Sequence, residues 1–194
     1  MAFDAGTAAL GIETPWEDVI RSQAVGDWSL YALIKAVIAA ESGWNPGAIN
    51  PSDPSYGLMQ VTPATARLYA PAITPDDLLD PVTNLVIGSA HLRDLLARYW
   101  TPDALAVYNS GAARKNAQNQ YVSSQGSTGV QSYVDSVLTY QSWYLNRLPA
   151  QVPDPLLEPW WAEPGADPPA DLADLGAGAG LGLVLVAAAL ALSQ

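Results

Sequence analysis

The sequence contains no cysteine. That absence excludes a disulfide framework, a thiolate zinc site, a cysteine nucleophile and a lipidated N-terminal cysteine. Basic residues are scarce: 8 Lys and Arg stand against 19 Asp and Glu, and none lies beyond Arg147. No basic stripe exists to gather phosphates, so nucleic-acid binding is disfavoured. There is one histidine, His91, and neither a metal site nor a cofactor is expected. The opening segment Met1 to Thr7 has no charged n-region and no sustained apolar h-region, so it does not read as a secretory signal. Runs of alternating polar and apolar residues are also missing, and the fold is expected to be mainly helical.

What is present falls into three zones. Residues 1–147 carry helical periodicity, mixed charge and nearly all the candidate chemistry. Residues 148–174 are rich in proline and acid (Pro149, Pro153, Pro155, Pro159, Pro164, Pro168 and Pro169), a composition that reads as an extended linker. Its Trp160-Trp161 pair reads either as an anchor at a membrane or partner surface or as local packing. Residues 175–194 form an apolar tail in which Leu175 to Leu192 bear no charge. As a helix at about 1.5 Å per residue that run would reach about 27 Å, marginal for a thin bilayer core. Gly178 and Gly182 stand in a small-xxx-small arrangement that lets helices pair. The tail therefore reads as a membrane-inserted segment, as a helix buried in a homo-oligomeric or other assembly, or as disorder.

Helix signals in the first zone are clear. Thr14-Pro-Trp-Glu17 reads as a capping box opening a helix toward Gln23. Asp27 or Ser29 caps a second helix whose apolar positions Leu30, Leu33, Ile34, Val37 and Ile38 recur at three and four, with Ser42-Gly43 as its stop. Residues 44–55, with prolines at 46, 51 and 54, are expected to be loop. A third helix is predicted from Pro63 through Tyr69. A fourth runs from Val82 to Trp100, with Leu85, Leu92, Leu95 and Leu96 inward and Gly88 packed closely on a neighbour. Helices follow around Asp103 to Tyr108 and Gln131 to Arg147, separated by a polar stretch, 112–132, expected to be a mobile loop.

Glu41 extends the buried stripe of the second helix, three residues after Ile38. Apolar surroundings and the negative end of the helix dipole both disfavour its charged form, so both raise its pKa. A carboxylic acid kept protonated near neutral pH suits glycoside cleavage, where the leaving alkoxide must receive a proton. A lone glutamate at a helix terminus is more often merely solvated. Glu41, however, is followed by Tyr56-Gly-Leu-Met-Gln60 and Tyr108-Asn109, with Tyr133 further on. Gly57 offers a place for backbone to approach a ligand, and Gln60 and Asn109 supply amides that donate and accept. The tyrosines supply rings with polar tips, which suit the apolar faces and hydroxyl rims of sugars.

Glu41-Ser42, then Gly57-Leu-Met-Gln60, then Asn84 with Gly88 and Leu92, then Ala106-Val-Tyr-Asn-Ser-Gly111, then Tyr133-Val134 resembles the catalytic domain of soluble-type lytic transglycosylases, a lysozyme-like family. The resemblance covers roughly Trp28 to Tyr140. It implies a lysozyme-like helical domain that cleaves peptidoglycan glycan strands between N-acetylmuramic acid and N-acetylglucosamine. Glu41 would be the sole catalytic acid and base, and the muramic C6 hydroxyl would attack C1 to give a 1,6-anhydro product. It further implies that Tyr56, Met59, Gln60, Tyr108, Asn109 and Tyr133 bind substrate, with Met59 lining the cleft, and that Ser42, Asn84, Gly88 and Leu92 are architectural. His91 falls where the family usually has an aromatic or packing residue, and Val107 replaces a common alanine. A hydrolytic glycosidase would need a second carboxylate, for which Asp53 is the first candidate. A hydrolytic muramidase and a non-catalytic wall-binding or assembly protein on the same fold are the alternatives. The missing signal and the apolar tail together suggest a phage virion protein acting on the cell envelope during genome entry, with a bacterial envelope enzyme as the runner-up.

Overall fold

The computed structural model describes residues 13–148. The chain divides into two units, Met1–Arg147 and Leu148–Gln194, and the described residues lie almost wholly in the first. The expectations for the linker, the Trp160-Trp161 pair and the apolar tail lie outside the described residues. Among the described residues, no helix is long and apolar enough to cross a membrane.

Among the described residues six α-helices build the first unit: α1 (Glu17–Ala24), α2 (Trp28–Ser42), α3 (Pro63–Ala66), α4 (Pro81–Leu96), α5 (Thr101–Ser110) and α6 (Gly129–Leu145). A 3-10 turn, Asp76–Leu79, precedes α4. Helix α2 is the centre. Its residues from Tyr31 to Ile38 are all buried, as expected of a helix covered on every side. The cap is Asp27 rather than Ser29, since its Oδ1 accepts from Ser29 N at 2.7 Å and Leu30 N at 3.0 Å. Helix α2 stops at Gly43, whose φ of 58° is left-handed and whose N–H donates to Ala39 O, the usual glycine exit.

The expected capping box on α1 does not form. Thr14 Oγ1 accepts from Trp16 N at 3.2 Å, and Trp16 takes the cap position without a side-chain bond. Glu17 turns inward instead. Its carboxylate accepts from the Tyr31 hydroxyl and from Lys35 Nζ at 3.0 Å. Lys35 is 2% exposed, and an ammonium taken out of water needs a counter-charge more than a helix start needs a reciprocal cap. The ammonium also donates to Tyr31 Oη at 2.9 Å and lies over the rings of Tyr31, Trp44 and Tyr144.

Helix α6 packs along α2 in the opposite direction, with Gln141 Nε2 donating to Ser29 O at 3.1 Å. Helix α4 ties to α1 through Arg93 Nη1, which donates to Gln23 O at 2.7 Å. It ends at Leu96 rather than Trp100, and Trp100 is 85% exposed. Helix α3 is shorter than expected, although Ala70 N still donates to Ala66 O.

Two stretches expected to be loops contain small antiparallel ladders. Strand β1 (Ile49–Asn50) pairs with β2 (Ser55–Tyr56), and β3 (Arg114–Lys115) pairs with β4 (Tyr121–Val122). Two-residue strands are too short to leave a period-two signature. The region 112–132 is pinned rather than free: Tyr121 and Val122 are buried. Tyr121 Oη donates to Asp103 at 2.6 Å, and its N–H donates to Gln131 Oε1 at 2.9 Å.

Candidate active site

Glu41 sits on the last turn of α2, one residue from its end, so the rigid core helix fixes its Cα while its side chain leaves the fully buried part of the molecule. It is half-buried. Burial pushes its carboxyl up to about 7, and the Tyr133 hydroxyl opposes that rise. Tyr133 Oη is itself buried and meets no acceptor with full hydrogen-bond geometry. It faces Glu41 without a fully formed hydrogen bond and still favours the charged form of the carboxyl. Burial and the charge of Glu41 hold the phenols of both Tyr133 and Tyr108 well above the usual tyrosine range. Three helices thus converge on one carboxyl: α2 carries it, α5 brings Tyr108 and α6 brings Tyr133.

A buried amide builds the wall beside this acid. Asn84 on α4 is completely buried. Its Nδ2 donates to Tyr56 O at 2.7 Å and Leu78 O at 2.9 Å, and its Oδ1 accepts from Met59 N at 2.8 Å. The carbonyl of Met59 then accepts from Tyr108 Oη at 2.9 Å. The chain of bonds from α4 through the 56–60 loop to Tyr108 leaves no polar group of Asn84 idle, which makes it stiff.

That geometry revises three expectations. Gly57 is required by Asn84 rather than by a ligand: its φ is 72°, and a Cβ there would lie 2.5 Å from Asn84 Nδ2. Met59 does not line the cleft with its side chain. The residue is fully buried, and a Cβ on Gly88 would come within 2.7 Å of its sulfur, so thioether and glycine pack face to face. Gln60 does not present its amide outward. Its Oε1 accepts from Ser55 Oγ at 3.0 Å, and its Nε2 donates to Ala48 O at 3.1 Å and Gly57 O at 2.9 Å. These bonds hold Gln60 in a left-handed conformation, φ 47°, that a non-glycine residue adopts reluctantly. Gln60 staples the loop whose Met59 carbonyl steadies Tyr108.

The remaining predicted residues are placed by their own elements. Tyr56 is half-buried in β2 and pairs through its backbone with Val61. Asn109 is exposed on the turn of α5 that carries Tyr108. Asp53 is exposed in the loop between β1 and β2, and no contact ties it to Glu41. Ser42 Oγ donates back to Ile38 O at 3.2 Å, and Leu92 is buried.

Next to Tyr108 lies a cluster of His91, Tyr69 and Asp94 that no motif in the sequence announces. The His91 ring centre is 5.5 Å from that of Tyr108. Tyr69 Oη sits 3.3 Å from His91 Nδ1 and donates to Asp94 at 2.7 Å. Burial lowers the imidazole's affinity for a proton while Asp94 raises it. The signal was available in the spacing: Asn84, Gly88 and His91 recur at four and three along α4 and therefore share a face. Among the described residues, no group of side chains could hold a metal ion.

Residues 18–129 match the family described as Transglycosylase SLT domain. The chain is 29% identical over 147 residues, 66% of its length, to the soluble lytic murein transglycosylase of Escherichia coli, and covers 23% of that protein. Against the soluble lytic murein transglycosylase of Salmonella typhimurium it is 31% identical over 132 residues, 59% of this chain and 20% of the relative. A Haemophilus influenzae protein provisionally given the same name is 34% identical over 126 residues, 56% of this chain and 21% of the relative. The chain thus spans about a fifth of the length of these curated relatives.

Proposed function

Because the chain belongs to the transglycosylase SLT domain family, we propose that it cleaves the β-1,4 bond between N-acetylmuramic acid and N-acetylglucosamine in peptidoglycan, leaving a 1,6-anhydro end. The observation that carries this reading is Glu41, a carboxyl raised to about 7 by burial at the meeting point of three helices. An acid of that strength holds its proton near neutral pH and still gives it up when an alkoxide develops.

In the proposed reaction Glu41 gives its proton to the glycosidic oxygen as the C1–O bond breaks. The resulting carboxylate takes the proton of the muramic C6 hydroxyl, whose oxygen attacks C1 and closes the anhydro ring. No water enters, and Glu41 ends protonated as it began. Tyr133 is set to steady the carboxylate between the two transfers, since its hydroxyl already favours the charged form and catalytic hydrogen bonds tighten on substrate binding. Tyr108, fixed through Met59 O, forms a wall, and exposed Asn109 and half-buried Tyr56 are the groups offered to the sugar rim. Met59 and Gln60 contribute by holding that wall.

The name soluble lytic murein transglycosylase on relatives of 29% and 31% identity supports this substrate class. Mass spectrometry of muropeptides released from purified peptidoglycan tests it. Anhydromuramic ends lost in Glu41→Gln are expected; reducing ends with water incorporated would overturn the mechanism.

A phage particle acting on the cell wall during genome entry is the proposed setting. Its support is sequence alone: a cell-wall-cleaving family domain followed by an acid- and proline-rich stretch and a charge-free run from Leu175 to Leu192. Detection of the chain in purified virions is the expected result, and absence from them removes this setting without touching the enzymology.

A further inference from the structure

Beyond the acid, a second site lies where α2 gives way to the following loop. A cavity of about 320 Å³ is lined by Ala39, Gly43, Trp44, Tyr140, Trp143 and Tyr144, with Thr139 at its edge. None of these residues belongs to the site built around Glu41. We propose that this cavity is a second carbohydrate-binding site, which holds an N-acetylhexosamine ring of the glycan outside the cleavage cleft.

Its size and chemistry select that occupant. The volume is at the low end of small-ligand pockets, enough for one or two pyranose rings and too small for a helix or a protein loop. The walls are aromatic, and the Tyr140 and Trp143 side chains among them each carry a polar tip. That combination presents apolar faces with hydrogen-bonding edges, the complement of a pyranose ring. Tyr140 is 42% exposed, so its ring has a face to offer.

The walls are also rigid before anything binds. Trp44 has φ 70°, a conformation costly for a bulky side chain and most often kept where it serves a purpose. The indole is held there: Nε1 donates to Tyr144 Oη at 3.1 Å, and Lys35 Nζ lies 5.8 Å from the ring centre beneath it. Trp143 is braced by Tyr144 at 5.0 Å and by the Arg147 guanidinium 3.8 Å from its ring. Two cations thus stand behind the aromatic walls of a chain whose net charge is −11. Lys35 is matched by Glu17 and serves as a brace, while the exposed Arg147 supplies local attraction for a wall polymer that carries carboxylates.

Position completes the case. Tyr133, beside Glu41, and Tyr140 are seven residues apart on α6 and therefore share a face, about 10 Å apart along the axis. A short glycan covers that span, so a strand engaged at the acid can reach the second site.

The identification of the ligand as a wall glycan rests on the proposed function, and its test is kept separate from catalysis. The full chain carrying Glu41→Gln is titrated with the N-acetylglucosamine tetramer while the indole N–H signals of its tryptophans are followed by NMR. Trp143→Phe assigns one of them. Saturable shifts of the Trp44 and Trp143 signals, with the exposed Trp100 stationary, are expected. Tyr140→Ala should weaken those shifts at least tenfold in apparent affinity, and Tyr140→Phe should restore them. Tyr140→Leu, which keeps apolar bulk without a ring, is the second variant should the alanine chain fail to fold. Stationary Trp44 and Trp143 signals, or shifts that survive loss of the Tyr140 ring, would overturn the site. Failure of the wild-type chain to release anhydromuramic ends would instead strike the proposed function, and the two results are read in different experiments.

Discussion

Helix α2 carries one buried and one half-buried ionisable side chain, Lys35 and Glu41, and it treats them in opposite ways. Lys35, in the middle, has a carboxylate at 3.0 Å, a hydroxyl at 2.9 Å and three aromatic rings around it. Burial lowers its pKa, but Glu17 pulls the other way, and the charge is answered by its surroundings. Glu41, six residues on, has only the imperfect contact of Tyr133 against a desolvation that lifts its pKa to about 7. A buried charge that is fully matched holds helices together; one left nearly unmatched stores a proton. The same helix supplies the fold with a pin and the proposed chemistry with an acid, and the difference is made by the Glu17 carboxylate that α1 brings to Lys35 and the lack of any such counter-charge among the groups acting on Glu41.

The contrast predicts that the two positions fail differently. Glu41→Gln should lower the yield of anhydromuramic product by about 10²–10⁴, the usual worth of a positioned acid and base. Its melting temperature should stay level or rise, because an amide needs less solvation than a carboxylate. Lys35→Met should do the reverse. It leaves Glu17 with the weaker partner Arg21 at 3.5 Å and removes the centre of the aromatic cage. A loss of about 3 kcal/mol in unfolding free energy is expected, the lower end for a broken buried pair because Glu17 keeps some solvent. Urea denaturation measures it, and product yield per folded molecule should change little. Lost stability in Glu41→Gln, or a stable Lys35→Met, would break the comparison.

The pH dependence sharpens it. Glu41 has a folded pKa raised from 4.5 to about 7, so the native state binds this proton more tightly than the unfolded chain. Its contribution to stability is fully present below about 4.5 and is lost as pH rises through about 7. Activity, which needs the protonated acid, should fall over the same upper limb. Thermal unfolding from pH 4 to 8 should show a downward slope in wild type that Glu41→Gln flattens, with no such change for Lys35→Met.

Much of this was legible in the residues, and the illegible part has a physical pattern. Helix α2 could be read because its apolar spacing, Asp27 and Gly43 all act within a few residues of the chain. So could Glu41 as a raised acid, since its position on the apolar stripe is a local fact. The roles of Gln60, Met59 and Gly57 could not. Each is set by a partner far along the chain or by the closure of a loop: Asn84, 25 residues beyond Met59, and Ala48, 12 residues before Gln60. An amide that binds a ligand and an amide that staples a loop are the same letters. Glu17 misled for the same reason, because a capping box is a local motif and Lys35, 18 residues away, outbids it. The ladders of β1 to β4 were hidden by their brevity.

The finest test of how nearly unmatched Glu41 is lies in its one polar neighbour. Tyr133 Oη lowers the carboxyl pKa against the lift from burial while lacking a hydrogen bond of full geometry. Removing the hydroxyl in Tyr133→Phe therefore deletes a weak stabiliser of the charged form. The alkaline limb of the pH–rate profile, where Glu41 loses its proton, should move upward by less than about one unit, because an imperfect contact contributes less than a well-formed bond to a charged group. Rate should fall by more than the profile shifts if the contact shortens once the carboxylate forms, since its full worth then appears only between the two proton transfers. Stability should barely change, as the hydroxyl leaves behind no partner of its own. An alkaline limb that stays in place or moves downward would mean that Tyr133 does not act on Glu41, and the acid would then stand with no polar support from α6.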